Sequence, residues 1–256
     1  MKIDYSLVSE IPGQKATKDQ LSIIYTRYRF AAGFCQDKTV LEVGCGAGIG
    51  LSYLTKKAKK VIGGDCSEDL LRYGQKNHGG KAGFVNLDAH ILPFKTGAFD
   101  ILILFETLYY LQDADKFLNE ARRILKVGGK IFISTVNKNW ADFSPSLYST
   151  EYFSAPQLCG LLNKYFKKVH LYGVFLADNS SKQNLLLSRL KRLAVRLDLI
   201  PRTMKSKSYL KRIFFGRLTT LPVELKDGVI GYDTPVAISG ESLNPRYRIL
   251  YAVGDR

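Results

Sequence analysis

The chain has 256 residues, and its 38 Lys and Arg against 23 Asp and Glu give it a formal charge of +15. That length can bury a large core, either as one domain or as a domain carrying an insertion. No apolar run approaches the ~20 residues of a membrane-spanning helix, and residues 1–5 lack the apolar core of a signal peptide, so the expectation is a cytoplasmic protein.

In chain order, residues 20–32 have helical spacing and lead straight into the apolar run Thr39-Val40-Leu41. There follows Glu42-Val43-Gly44-Cys45-Gly46-Ala47-Gly48 and then the helix-like Leu51-Ser52-Tyr53-Leu54. Glycines at this strand-to-helix turn allow positive φ and let a ligand approach the main chain. A dinucleotide site would need glycines at relative positions 1, 3 and 6. Counting from Gly44, Gly46 or Gly48, the sixth position is Ile49, Leu51 or Tyr53, so that template fails. Glu42 would repel a pyrophosphate but attract an ammonium or a sulfonium.

Residues 61–65, Val-Ile-Gly-Gly-Asp, read as a second strand ending in the carboxylate Asp65. Residues 84–94, with Asp88 and His90, follow as a third segment, and Phe99 to Glu106 as a fourth. The unbroken apolar run Ile101-Leu102-Ile103-Leu104-Phe105 marks a central strand buried on both sides. A helix is expected over 113–125, with Phe117, Leu118, Ala121, Ile124 and Leu125 inward and Gly128-Gly129 ending it. A fifth strand begins after those glycines. A helix over 155–164 then leads into a sixth strand, 168–175, and the seventh is 247–253. Alternating strands and helices of this kind imply a parallel sheet covered on both faces.

Five of these stretches, spread over residues 38–136, resemble in order the motifs of class I S-adenosylmethionine-dependent methyltransferases. The resemblance implies an α/β fold: a doubly wound, seven-stranded, mostly parallel sheet with an antiparallel edge formed by strands six and seven. It implies S-adenosylmethionine as cofactor, with Asp65 gripping the ribose hydroxyls and Asp88 taking the adenine amino group. Tyr28, Glu42, Gly44, Cys45, Gly46, Gly48, Cys66, Ala89 and Phe105 complete the implied cofactor-binding set, and His90 packs beside the base. Residues 20–32 are also similar to the leader of methyltransferases associated with bacterial polysaccharide synthesis. There Tyr25 and Tyr28 either close over the methionine half of the cofactor or simply pack the helix on the sheet.

Glu106 is the first candidate for general base or acceptor contact, with Tyr109 beside it; its alternative roles are capping the turn or reaching the cofactor ammonium through water. Tyr110 is a further candidate for lining the acceptor pocket. Trp140, with Tyr148 and Tyr152, either builds the acceptor pocket or seals the domain. Cys35, Cys45, Cys66 and Cys159 show no paired or metal-like spacing, and His78, His90 and His170 have no ligand partner at short spacing, so no metal is expected.

The expected division is an N-terminal cofactor cover (1–37), a cofactor-binding core (38–176), an insertion (177–245) and the last strand (246–256). Within the insertion, residues 182–217 hold eleven basic residues and the single acid Asp198. Residues 184–200 place Leu186, Leu190, Leu193, Ala194 and Leu197 on one helical face and Arg189, Arg192 and Arg196 on another, and 209–217 offer a second helix. This segment is open to three readings: peripheral contact with the inner face of an anionic membrane, a lid that holds an anionic acceptor, or a solvated face. Nucleic acid is disfavoured, because no RNA-binding module is visible. The function expected is methyl transfer to oxygen or nitrogen of a small molecule or saccharide. The alternatives are a methyltransferase acting on RNA or another large anion, and a non-catalytic scaffold with the same fold.

Overall fold

A computed structural model describes residues 4–78, 80–177 and 218–256. Ten strands and five α-helices are placed among them. In the first half, β1 (Lys15–Ala16) precedes α1 (Lys18–Ala32), then β2 (Thr39–Val43), α2 (Leu51–Leu54), β3 (Lys60–Asp65), α3 (Glu68–His78) and β4 (Gly83–Asn86). The second half runs β5 (Phe99–Phe105), α4 (Ala114–Ile124), β6 (Leu125–Val136), α5 (Ala155–Asn163), β7 (Lys167–Leu176), β8 (Thr219–Thr220), β9 (Val236–Ile238) and β10 (Tyr247–Asp255).

Eight strands form one sheet in the order β4-β3-β2-β5-β6-β10-β7-β9. The five from β4 to β6 are parallel, whereas β10 runs antiparallel to both β6 and β7. The expected doubly wound α/β architecture is present with one strand more than the sequence suggested. The extra strand is β9, three residues antiparallel to β7, which makes it the sheet edge. A three-residue strand is too short to show an alternation of polar and apolar positions, which is why it was not legible.

Side-chain alternation decides which layer each residue joins. From β5, Ile101, Ile103 and Phe105 pack on one face with Leu21, Ile24, Tyr25 and Tyr28 of α1. Leu102 and Leu104 pack on the other with Phe117, Leu118, Ala121 and Ile124 of α4 and with α5. These three helices each have a sequence-coded start. Thr17 caps α1 by accepting from Gln20 N, Asp113 caps α4 by accepting from Lys116 N, and Ser154 with Gln157 forms a capping box on α5. A cap of this type contributes about 1 kcal/mol. The expected role of Gly128-Gly129 as helix stop is corrected: α4 ends at Ile124, Leu125 is already extended, and the glycines turn the chain inside the first part of β6.

Residues 218–245 are built into the main body. β8 pairs with β1, Leu221 and Leu225 are buried in the α1 layer, and Asp227 accepts from the hydroxyls of Tyr25 and Tyr53. The expected basic helices at 184–200 and 209–217 lie outside the described residues. No described helix is long and apolar enough to cross a membrane.

Candidate active site

The chain leaves β2 toward β3 and β4 on one side and returns to β5 on the other, so the sheet's switch point lies between β2 and β5. Ligands of open α/β sheets bind beyond the carboxyl ends of strands at such a point. There the structure has a cavity of about 860 Å³, lined by Tyr28, Glu42, Gly44, Gly46, Asp65 and Asp88 and also by Glu106, Tyr109, Tyr110 and Tyr152. It is roomy enough for a nucleoside-sized ligand and a second small molecule together.

The glycine turn shapes one wall. Gly44 has φ +73°, and a Cβ there would lie 2.2 Å from Thr107 Oγ1, so the bend after β5 and the bend after β2 are fitted to each other. Gly46 has φ +53° and open space where its Cβ would be, and its N–H donates to Asp65 Oδ2 at 2.8 Å. The other Asp65 oxygen accepts from Ser67 N at 2.9 Å. Burial raises the Asp65 carboxyl, while those backbone donors hold it back.

Glu42 closes the floor. It is buried; one oxygen accepts from Tyr28 Oη at 2.6 Å and the other, Oε2, has no partner. Burial pushes its carboxyl up to about 7, against the opposing effects of the Tyr28 hydroxyl and the Arg27 charge. Asp88 differs in being exposed. It accepts from both the backbone N–H and the ring Nδ1 of His90, and the backbone bond holds its carboxyl below the usual range. His90 Nε2 in turn accepts from Asp113 N at 3.3 Å, tying this wall to the start of α4.

Glu106 sits just past β5 at φ +50°, a conformation that side chains other than glycine adopt only under constraint. Its carboxylate accepts from Ser134 Oγ at 2.6 Å and from Tyr109 Oη at 3.1 Å. Burial raises its carboxyl, opposed first by the nearby Arg27 charge. The Tyr109 ring stacks on Tyr152 with centroids 4.3 Å apart, and Tyr110 Oη bonds Ser146 Oγ at 2.6 Å.

Of the residues expected at the site, Tyr28, Glu42, Gly44, Cys45, Gly46, Asp65, Cys66, Asp88, Ala89, Phe105, Glu106 and Tyr109 all line the cavity. Gly48 is not among the residues lining the cavity; it has φ +75°, and a Cβ on it would meet the Phe84 ring of β4 at 3.0 Å. Tyr25 points away and bonds Asp227, and Trp140 packs under the Arg248 guanidinium at 5.0 Å rather than in the cavity. His78 is buried with both ring nitrogens unpartnered, and His170 lies in β7. Among the described residues no cluster of His, Cys, Asp or Glu is placed to hold a metal ion.

Sequence reasoning missed Glu10, Arg27 and Ser134. The polar Ser134 at the end of the apolar run 131–133 was one available signal, and Arg27 within the Arg-Tyr-x-Phe-Ala stretch of residues 27–31 was another; its pairing across seventeen residues with Glu10 leaves none.

Residues 41–133 match the methyltransferase domain family. The chain carries a methyltransferase domain. Its fold is shared with an S-adenosylmethionine-dependent methyltransferase from Thermotoga maritima (TM-score 0.59, 15% identity, 93% of each chain covered). The YcgJ protein from Bacillus subtilis is also similar, with TM-score 0.56, 13% identity, and 90% of this chain and 98% of that one covered. Among curated proteins, this methyltransferase is 26% identical over 179 residues to a ubiquinone biosynthesis O-methyltransferase of Bartonella bacilliformis, 68% of each chain. It is 30% identical over 150 residues to the Coxiella burnetii protein of the same name, covering 57% of this chain and 60% of that one. S-adenosylmethionine is the cofactor of the family, and the cavity fits it. The unpartnered Glu42 Oε2 calls for a cation, and the open position at Gly46 leaves room for a ligand against the main chain.

Proposed function

We propose that this methyltransferase moves a methyl group to a hydroxyl oxygen carried on the ring of a small molecule. The carrying observation is Glu106, a buried carboxylate bonded to Ser134 and Tyr109 in a cavity also lined by the rings of Tyr110 and Tyr152. Support also comes from the relatives, which are named for O-methylation in ubiquinone biosynthesis. The stacked pair Tyr109 and Tyr152, with Tyr110 beside it, suits the flat face of an aromatic ring or the apolar face of a sugar. The saccharide reading rests on the leader resemblance alone, and the relatives' names favour an oxygen acceptor outside saccharide synthesis.

The donor, when bound, supplies an electrophilic methyl on a sulfonium. Everything else falls to the chain. Glu42 holds the ammonium, Asp65 the ribose hydroxyls, Asp88 the adenine amino group, and Arg27, next to Tyr28 and facing the cavity, the donor carboxylate. The tyrosine walls align the acceptor, and such orientation is worth up to ~7 to 11 kcal/mol. Glu106 takes the hydroxyl proton as the oxygen attacks; its raised carboxyl brings its basicity nearer to working pH.

The test is methylation of a panel of phenols, sugars and amines with labelled donor, paired with calorimetry of adenosylhomocysteine. Glu106→Gln should lower kcat by ~10² to 10³-fold while leaving adenosylhomocysteine affinity unchanged. Asp65→Ala should abolish measurable adenosylhomocysteine binding. Methylation of amines alone, or a Glu106→Gln enzyme with full kcat, would overturn the oxygen-acceptor reading.

A further inference from the structure

The segment before α1 reaches into the donor end of the cavity and holds a charge there. Arg27 is 4% exposed, and its Cζ lies 5.4 Å from the Tyr28 ring centre and 5.7 Å from that of Phe105. Both terminal nitrogens of the guanidinium donate to the Glu10 carboxylate, while Nε has no partner. Glu10 follows a 3-10 turn, Tyr5–Leu7, in a stretch without regular structure, and its side chain is 22% exposed against 5% for Arg27. The cation is therefore the fixed, deep member of the pair and the anion the shallow one.

Burying a guanidinium is costly unless a carboxylate answers it, and the cavity does not dictate which carboxylate that is. Beyond Tyr28, whose hydroxyl bonds Glu42 Oε1, the partnerless Glu42 Oε2 asks for a cation. An α-amino acid group presents an ammonium and a carboxylate on one carbon. Glu42 Oε2 is left to answer the first, and a side chain of the chain itself stands where the second would meet Arg27. We propose that Glu10 is an internal occupant of the carboxylate subsite, which the amino-acid end of the donor must displace from Arg27. This rests on the donor reading given above. A competing internal ligand lowers the apparent affinity of the external one by the fraction of molecules in which the subsite is filled. The competition acts only on ligands that carry a carboxylate. Tyr5, Val8 and Ser9 of the same segment also line the cavity, so exchanging the partner of Arg27 unties this segment from α1 as the donor seats.

The experiment compares adenosylhomocysteine with 5′-methylthioadenosine, which has the same nucleoside and no amino-acid group, by calorimetry on the full chain. Glu10→Gln, which keeps shape and removes charge, should tighten adenosylhomocysteine about 10-fold and leave methylthioadenosine unchanged. Arg27→Met should weaken adenosylhomocysteine about 10- to 100-fold, the scale of charge-assisted hydrogen bonds, again sparing methylthioadenosine, whose binding also reports that the variant is folded. Should Arg27→Met not fold, Glu10→Gln carries the test alone. Unchanged or weakened adenosylhomocysteine binding in Glu10→Gln overturns the proposal, weakening meaning that Glu10 merely steadies Arg27. Equal changes for both ligands also overturn it. A native chain that binds neither ligand refutes the donor reading itself, a different outcome from these.

Discussion

Glu42 turns a buried carboxyl into a pH dependence whose sign can be worked out. An unfolded carboxyl ionises near its ordinary value of 4.5, whereas burial holds the folded one neutral up to about 7. The folded state therefore binds the extra proton between those values. The contribution of Glu42 to folding stability falls as pH rises from about 4.5 to about 7 and is level above that. Donor binding runs the other way, because an ammonium needs the ionised form: adenosylhomocysteine affinity should rise from pH 6 to 8. Glu42→Gln should flatten that rise and lower the affinity at pH 8. Calorimetry across this range checks both, and a step that persists in Glu42→Gln would assign it to another group. Asp65 and Asp88 were legible as cavity residues because each is a carboxylate at, or just beyond, the end of a strand. Arg27 was not, since its importance comes from Glu10, and nothing in either residue's local pattern links the two.

At the scale of elements, the site is a set of strand tips held in register, and its accuracy depends on close packing behind them. Gly50 shows this. A Cβ there would lie 2.1 Å from the Tyr28 ring, so α1 and the turn before α2 touch through a missing side chain. Gly50→Ala should push Tyr28 from Glu42, cost about 1 to 3 kcal/mol of stability by overpacking, and weaken donor binding. Thermal melts with and without adenosylhomocysteine check it: a smaller ligand-induced shift in melting temperature is expected together with the lower baseline. The elements with strong periodicity or unbroken apolar runs, β2, β5, α4 and β10, could be read from residues alone. β1, β8 and β9 could not, because two or three residues carry no period, and their pairing is set by tertiary contact. The end of α4 was misread for a related reason. Gly128 does take positive φ, +76°, but in a turn after the chain had already become extended.

For the whole molecule, described residues from 5 to 249 wall the cavity. Replacing residues 182–217 with a neutral linker should leave adenosylhomocysteine affinity within about threefold and reduce acceptor turnover or binding to anionic vesicles. Loss of donor binding in a folded product would place that stretch in the donor site instead. Sequence reasoning reached the sheet class and most of the residues that line the cavity, Glu106 among them. It did not reach the way residues 218–245 brace α1 through Asp227 and β8, because those contacts join positions some two hundred residues apart. The placement of β10 carries a related consequence. Lying between β6 and β7, it satisfies the backbone of two neighbours that would otherwise both be bare. A single break that frees this ribbon would create two sticky margins at once, so damage near its start should show first as clumping of the protein rather than as a weaker catalyst.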